Sequence, residues 1–546
     1  MSENKRIYYL SVAGCILVLI IAGWKWSVGL QGHLDILLAD EAEYLRNGLN
    51  LFDKIAKNWG PTYNIWYKFL SLFNSNPIEL YYLNYKIGAI GTGVLLFVFL
   101  IRYNVHIAVA FLIGFCYLFS DININAWPRI SNFVVMLYLA YFISIRTITS
   151  IITKLIGFAI VSFVAAFARP ELLIVAEIST ILVLINIVRD YKNAVAKIPL
   201  LLLLFFTVFI LFFVYGKPAD TYSNINRTYI AFCQHYAVAY KMRTHSDMNA
   251  IIEWIDFTKP LFGDSKTVPE VLFKHFSLCV PHFLFTIKVY ALSFFMFILN
   301  LVSPVYLIPG MKKKQMLLIA LLVFILFALF HKKTRTSFLS KIKEQKSILL
   351  FAFAASIPSI GVCIVIFPRQ HYMMIQVIWM ALLLGFLFSA VLENLKIKDL
   401  AVVPLSIILL FLSPKAEKYN TIQSIPDIKN LCTQKFIHYI NAQPWTEKHT
   451  IFSNFLNVHL LFDKPENFEQ FNTEYMLKQL PATIGFKDIL EKYKIDIILM
   501  NSELDKETRL QKDTTWQQLT AHPELYQFKK VTFANECESY LLIKNK

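Results

Sequence analysis

The stretch "LADEAEYLRNGL" at 38–49 sets three carboxylates, Asp40, Glu41 and Glu43, within four positions, directly after the first strongly apolar run of the chain. A carboxylate at a membrane boundary can serve as a general base, taking a proton from an acceptor hydroxyl. Two arginines stand at comparable boundaries, Arg169 in "AFARPELL" and Arg369 in "IFPRQHYMM". A guanidinium there can hold a phosphate by paired, charge-assisted hydrogen bonds. A base and a phosphate holder together are what glycosyl transfer from a lipid phosphate requires. Each residue also has a plainer reading. Asp40 suits a helix N-cap, with Glu43 three residues on as its capping-box partner and the helix dipole favouring both. Leu45, Leu49 and Phe52 then fall on one helical face. A cap leaves Glu41 unexplained. Either arginine alone could simply snorkel to the headgroup layer.

The elements that must position these residues are membrane spans. The chain has 546 residues, 56% of them hydrophobic and 16% charged, with a mean hydropathy of +0.51. Runs of about 18 or more apolar residues recur, each able to cross roughly 30 Å of hydrocarbon. The expectation is an α-helical polytopic membrane protein of about 10–12 spans. Lys5 and Arg6 put the N-terminus in the cytoplasm by the positive-inside rule, and residues 31–80 outside. Trp24 and Trp26 near the far end of the first run suit a retained anchor better than a cleaved signal. Arg102, Arg146 and "RDYKNAVAK" mark inner turns; Arg129, Arg169 and the polar segment 216–283 fall outside. The basic block "HKKTRTSFLSKIKEQK" stays inside if 284–309 is interfacial or re-entrant rather than spanning. That choice also brings Arg369 to the outer edge.

Residues 416–546 change character. They carry 16 basic and 17 acidic side chains, a net of −1, whereas the rest of the chain carries a net of +17. "FKDILEKYKIDIILMN" reads as an amphipathic helix entering an apolar strand, and "FKKVTFANECESYLLIKN" as two strands about a turn at "ANE". The expected division is 1–415, a membrane domain with outer loops 31–80 and 216–283, and 416–546, an extracytoplasmic α/β domain. The positive excess suits cytoplasmic loops and lipid phosphates. Nucleic acid is excluded as a partner, because no basic tract is interleaved with stacking aromatics. The seven cysteines form no metal spacing; Cys233 with Cys279, and Cys432 with Cys537, could pair outside the cytoplasm.

The ordered set of motifs resembles the GT-C superfamily of integral-membrane glycosyltransferases, which includes protein O-mannosyltransferases and bacterial aminoarabinose-type lipid A transferases. Members carry an acidic pair in the first outer loop, matched by Asp40-Glu41. Bacterial members often show an Arg-Pro-Glu-like stretch at an outer edge, matched by Arg169-Pro170-Glu171. A later Arg-Tyr motif is matched loosely by Arg369 and Tyr372, with Gln370 and His371 between. "YKIDIILM" at 493–500 fits a strand of their C-terminal domain.

The resemblance implies a polyprenyl-phosphate-linked sugar donor, a glycan, lipid or protein acceptor, and a site on the outer face of the bacterial cytoplasmic membrane. Asp40 is then the candidate base and Glu41 positions the acceptor or a metal. Arg169, Arg369 and Arg129 in "AWPRIS" are candidate phosphate ligands; Glu43, Glu171 and Tyr372 are candidate substrate contacts. Trp59, Tyr63 and Trp66 could stack on a sugar or form an aromatic belt. Some relatives use a divalent ion and others do not, and nothing here requires one. His235, His245, His275 and His282 are spaced like ordinary surface histidines. Two other functions compete. A lipid-linked oligosaccharide flippase should show mid-membrane charges and repeated halves, which are not seen. An O-antigen polymerase or ligase would use a pyrophosphate donor and lack the first-loop acid pair.

Overall fold

The computed structural model describes residues 3–53, 56, 60–124, 127–189, 197–218, 221–222, 225–250, 253–308, 310–397, 399–416, 431–473, 476–477, 480–481, 483–533 and 537–545. It is mostly helical, and the chain falls into two compact units. The first comprises Met1–Ser27, Ile55–Tyr63 and Tyr85–Lys415; the second comprises Val28–Lys54, Asn64–Asn84 and Ala416–Lys546. One break between the units falls between Lys415 and Ala416, and most of the first outer loop belongs with the C-terminal region.

Among the described residues, nine helices are long and apolar enough to cross a membrane, and three shorter apolar helices accompany them. Phe205, Phe209 and Phe213 on Ile198–Tyr215 are all more than half exposed, as are Phe327 and Phe330 on Met311–Phe330. Water would not tolerate such a surface and lipid would, so the first unit is that of a multi-pass membrane protein. Side-chain ties sort its two ends. At one end, Trp26 packs on Tyr85, and Lys25 Nζ donates to the Ser413 carbonyl at 2.9 Å. At the other, Arg146 Nε donates to the Arg102 carbonyl and His106 Nε2 lies 3.3 Å from Asp399. Lys341 pairs with Glu393 at this Arg102 end too. The basic block thus sits with Arg102 and Arg146, the clustering that the charge pattern led one to expect.

Helix Phe276–Val302 is long enough to span by length and composition. Its contacts show a different course. His282 Nε2 bonds the Val365 carbonyl, at the C-terminal end of Lys346–Val365. Tyr306, just beyond the helix, donates to the Leu412 carbonyl and packs edge-on against Phe119. Val365, Phe119 and Leu412 are all at the Trp26 end, so the helix leads back to the end from which it starts. Ahead of it, helices Arg227–Thr244, Trp254–Phe262 and Val268–Lys274 close over Phe232, Tyr236, Val271 and Cys279.

The second unit is built on a five-stranded sheet: β1 His449–Ser453, β2 Phe468–Asn472, β3 Ile495–Met500, β4 Phe528–Thr532 and β5 Tyr540–Lys544, in the order β2-β1-β3-β5-β4. The pairs β1–β2 and β1–β3 are parallel, and β3–β5 and β4–β5 antiparallel. The apolar run "IDIILM" is buried almost throughout, as a central strand should be, and edge strand β4 shows Lys529 and Lys530 to solvent. The helix, strand and paired strands expected from sequence are all present; the turn at "ANE" lies outside the described residues. Phe452, Phe486, Ile498 and Trp516 form the core on one face.

The first loop is fastened to this unit by polar contacts. Asp35, fully buried, accepts the backbone N–H of Thr433 at 2.7 Å and of Gln434 at 3.0 Å, capping helix Cys432–Asn441 from a distance in sequence. Gln434 Nε2 donates to the Gln31 and Leu34 carbonyls. Cys432 is joined to Cys537 by a disulfide, while Cys233 and Cys279 are buried and free.

Candidate functional site

The acidic cluster opens helix Asp40–Leu49, and its cap differs from expectation. Ala39 is the N-cap, not Asp40, and holds φ 63°, ψ −123°, a region an alanine rarely enters. Three backbone hydrogen bonds pin it there: its N–H donates to the Leu456 carbonyl, and its own carbonyl accepts from Ala42 and Glu43. Asp40 is therefore the first helical residue and Glu43 the fourth, so no capping box forms. Phe52 lies beyond the helix end and is 83% exposed; the buried face is Glu41, Ala42, Tyr44, Leu45 and Gly48. Gly48 lets Pro61–Ser71 cross closely, since a Cβ there would meet Tyr67 Cβ at 2.4 Å.

The three carboxylates separate by environment. Asp40 and Glu43 are half-buried, within reach of a ligand. Glu41 is wholly buried and accepts from Tyr67 Oη at 2.5 Å and Asn84 Nδ2 at 3.2 Å. Asn84 Oδ1 in turn accepts from Trp66 Nε1 at 2.8 Å. Glu41, expected as a catalytic residue, is instead enclosed by a phenol and an amide and braces the helix. Trp66 is held in the same network rather than offered to a sugar.

In the first unit a cleft forms at the Trp26 end of the helices. Arg169, with its side chain 12% exposed, lies over the Tyr372 ring at 4.9 Å. Its Nε donates to Glu171 Oε1 at 2.7 Å and its Nη1 to Ser131 Oγ at 3.1 Å. The Arg-Pro-Glu motif is thus an internal ion pair made possible by the sharp turn at Pro170. Ser359 and His371 add polar groups to the lining of a cavity of about 20 Å³, room for a water molecule, alongside apolar Val134, Leu172 and Ile375. Arg369 and Arg227 also act electrostatically on Tyr372. The charges of three guanidinium groups therefore reach one phenol, with Arg169 in contact with it, against the carboxylate of Glu171. The Arg369 side chain is half-buried and has no hydrogen-bond or ion-pair partner among the described residues. Nearby His235 stands against Phe367, its Nδ1–H donating to the Ala231 carbonyl at 2.7 Å. Burial and the Arg369 charge push its pKa down to about 4, so the ring is neutral at pH 7 with Nε2 as an acceptor.

Other expected site residues fall elsewhere. Arg129 is 1% exposed, stacked 4.0 Å from Tyr85 and donating to the Asn123, Ile124 and Tyr85 carbonyls. Expected among the phosphate ligands, it here ties the short helix Asp121–Ile124 to Pro77–Arg102. Tyr63 is fully buried against Phe133, so its ring is not open to a sugar. Trp59 lies outside the described residues. Nor are the outer histidines all superficial, since His282 is 2% exposed. Among the described residues no group of three or more His, Cys, Asp or Glu is placed to hold a metal ion. Ser131, Ser359 and Arg227 escaped sequence reading, because an isolated serine or arginine in or beside an apolar run carries no spacing signal. No protein-family model and no curated protein matches the chain.

Proposed function

We propose that this protein is a GT-C-type membrane glycosyltransferase that moves a sugar from a polyprenyl-phosphate donor to a hydroxyl acceptor. The observation that carries the reading is Arg369, a half-buried guanidinium with no anionic partner among the described residues, beside Arg169, Arg227 and Tyr372. A partly buried cation with no counter-ion is a ready site for an anion, and an anionic ligand offsets its partial desolvation. A phosphate at the end of a bundle of apolar helices implies a lipid carrier. Arg369 and Arg169 bind the donor phosphate, which leaves as polyprenyl phosphate. Glu171 keeps Arg169 in its pose, and Tyr372 offers it an aromatic face. Asp40, the half-buried carboxylate at the start of its helix, takes the proton from the acceptor hydroxyl. The disulfide and the positive Arg102 end support a cytoplasmic membrane with the site facing the exterior or periplasm.

The test is incubation of the purified full-length protein with polyprenyl-phosphate sugars and measurement of released polyprenyl phosphate. Release that falls strongly in Arg369→Ala, and less in Arg169→Lys, is expected. Intact lipid-linked sugar crossing a vesicle bilayer without bond cleavage would overturn the proposal in favour of a flippase.

A further inference from the structure

A cavity of about 620 Å³ lies within the first unit, away from the arginine cleft. Its walls include Ala108, Leu112, Leu299, Ala320, Phe388 and Leu392, and every lining residue except Ser303 is apolar. The volume is that of a small-molecule site, about 300–1,000 Å³. Water does not fill a space of this character, and a dry void forfeits the contacts of its lining. In a bundle surrounded by lipid, the apolar filler at hand is a hydrocarbon chain.

Charge at the cavity rim identifies which lipid. Leu392 adjoins Glu393, which pairs with Lys341 at 2.8 Å and accepts from Ser337 at 3.0 Å. Asn394 Nδ2 donates to Thr334 Oγ1 at 2.9 Å. Thr334, Ser337 and Lys341 all belong to helix Lys332–Glu344, "KKTRTSFLSKIKE", with five basic residues and one acidic. Glu393 engages Lys341, whereas Lys332, Lys333 and Arg335 are exposed. On another wall, Ala108 adjoins the turn where His106 meets Asp399. One wall of the cavity, at Ala108, Leu392, Ile397 and Ala401, therefore reaches the Arg102 end, and a donor phosphate held at Arg169 and Arg369 would lie at the other.

We propose that this cavity holds an acyl chain of an anionic glycerophospholipid whose phosphate rests on the basic helix Lys332–Glu344. The hydrocarbon gains contacts that the empty cavity lacks, and the headgroup meets lysine and arginine side chains without a carboxylate partner of its own. The site is separate from glycosyl transfer and needs no chemistry.

The experiment is native mass spectrometry of the full-length protein in detergent, titrated with phosphatidylglycerol or phosphatidylcholine of identical chains. Phosphatidylglycerol is expected to be retained at about tenfold lower concentration. The combined variant Lys332→Gln, Lys333→Gln, Arg335→Gln is expected to erase that preference while both lipids still bind. Ala320→Phe, which fills the cavity, is expected to weaken both, with Leu321→Trp from the same wall as a second filling variant and thermal melts as the folding control. Equal retention of the two lipids by the unaltered protein would overturn the proposal, as would a preference that survives the triple substitution. Displacement of phosphatidylglycerol by a polyprenyl phosphate, lost in Ala320→Phe, would also overturn it by giving the cavity to the donor chain.

Discussion

Two adjacent carboxylates, Asp40 and Glu41, share a helix turn and differ in what they can do. Asp40→Asn removes the proposed base while keeping the shape, so turnover should fall about 10²–10⁴-fold in the polyprenyl-phosphate release assay with the melting temperature unchanged. Glu41→Ala should act the other way round. It removes the acceptor of the buried Tyr67 hydroxyl and one of the acceptors of the Asn84 amide, a loss of about 1–3 kcal/mol seen as a lower melting temperature. Glu41→Gln, which keeps an acceptor, should lose less. Sequence showed the cluster but not this division. The capping-box pattern misled because it assumes that Asp40 caps, and the backbone of Ala39 moved the cap one residue earlier. Arg129 was ambiguous for a related reason: a lone arginine at a span edge looks the same whether it meets phosphate or three carbonyls.

Helix Cys432–Asn441 depends on a partner that no local reading could supply. Its own N-cap, Leu431, offers no side-chain acceptor, and Asp35 provides one. Burial raises the Asp35 pKa from 3.8 to about 6, with the N–H groups of Thr433, Ile36 and Gln434 pulling it partly back. The folded state thus holds this proton more tightly than the unfolded state. Its contribution is complete below about pH 4 and is lost as the pH rises through about 6, a span worth roughly 3 kcal/mol. The second unit should therefore melt lower at pH 8 than at pH 5, and Asp35→Asn should flatten that slope in a calorimetric pH series. The strands of this unit were legible, because "IDIILM" and "FKKVTF" carry central-strand and edge-strand patterns in their own letters. The clustering of the basic block "HKKTRTSFLSKIKEQK" with Arg102 and Arg146 was legible through charge alone.

Across the whole molecule, the sequence marked where soluble composition begins at 416 but not that residues 28–54 and 64–84 belong with it. Composition changes at the membrane edge; partnership across the chain leaves no such mark. The Cys432–Cys537 bond closes a loop of 105 residues, so Cys537→Ser should cost the second unit about 4–5 kcal/mol, read by thermal melting with a gel shift under reduction as the check. The tie between Asp35 and Thr433 reaches 398 residues along the chain. At about 5–20 residues per second, a ribosome takes about 20–80 s to cover that distance. During that interval the acidic helix has already been made, yet Asp35, Ala39 and Arg46 still lack their partners at Thr433, Leu456 and Phe462. The carboxylate proposed as base is thus made well before the groups that fix its helix, so its placement waits on a stretch of chain synthesised about 20–80 s later.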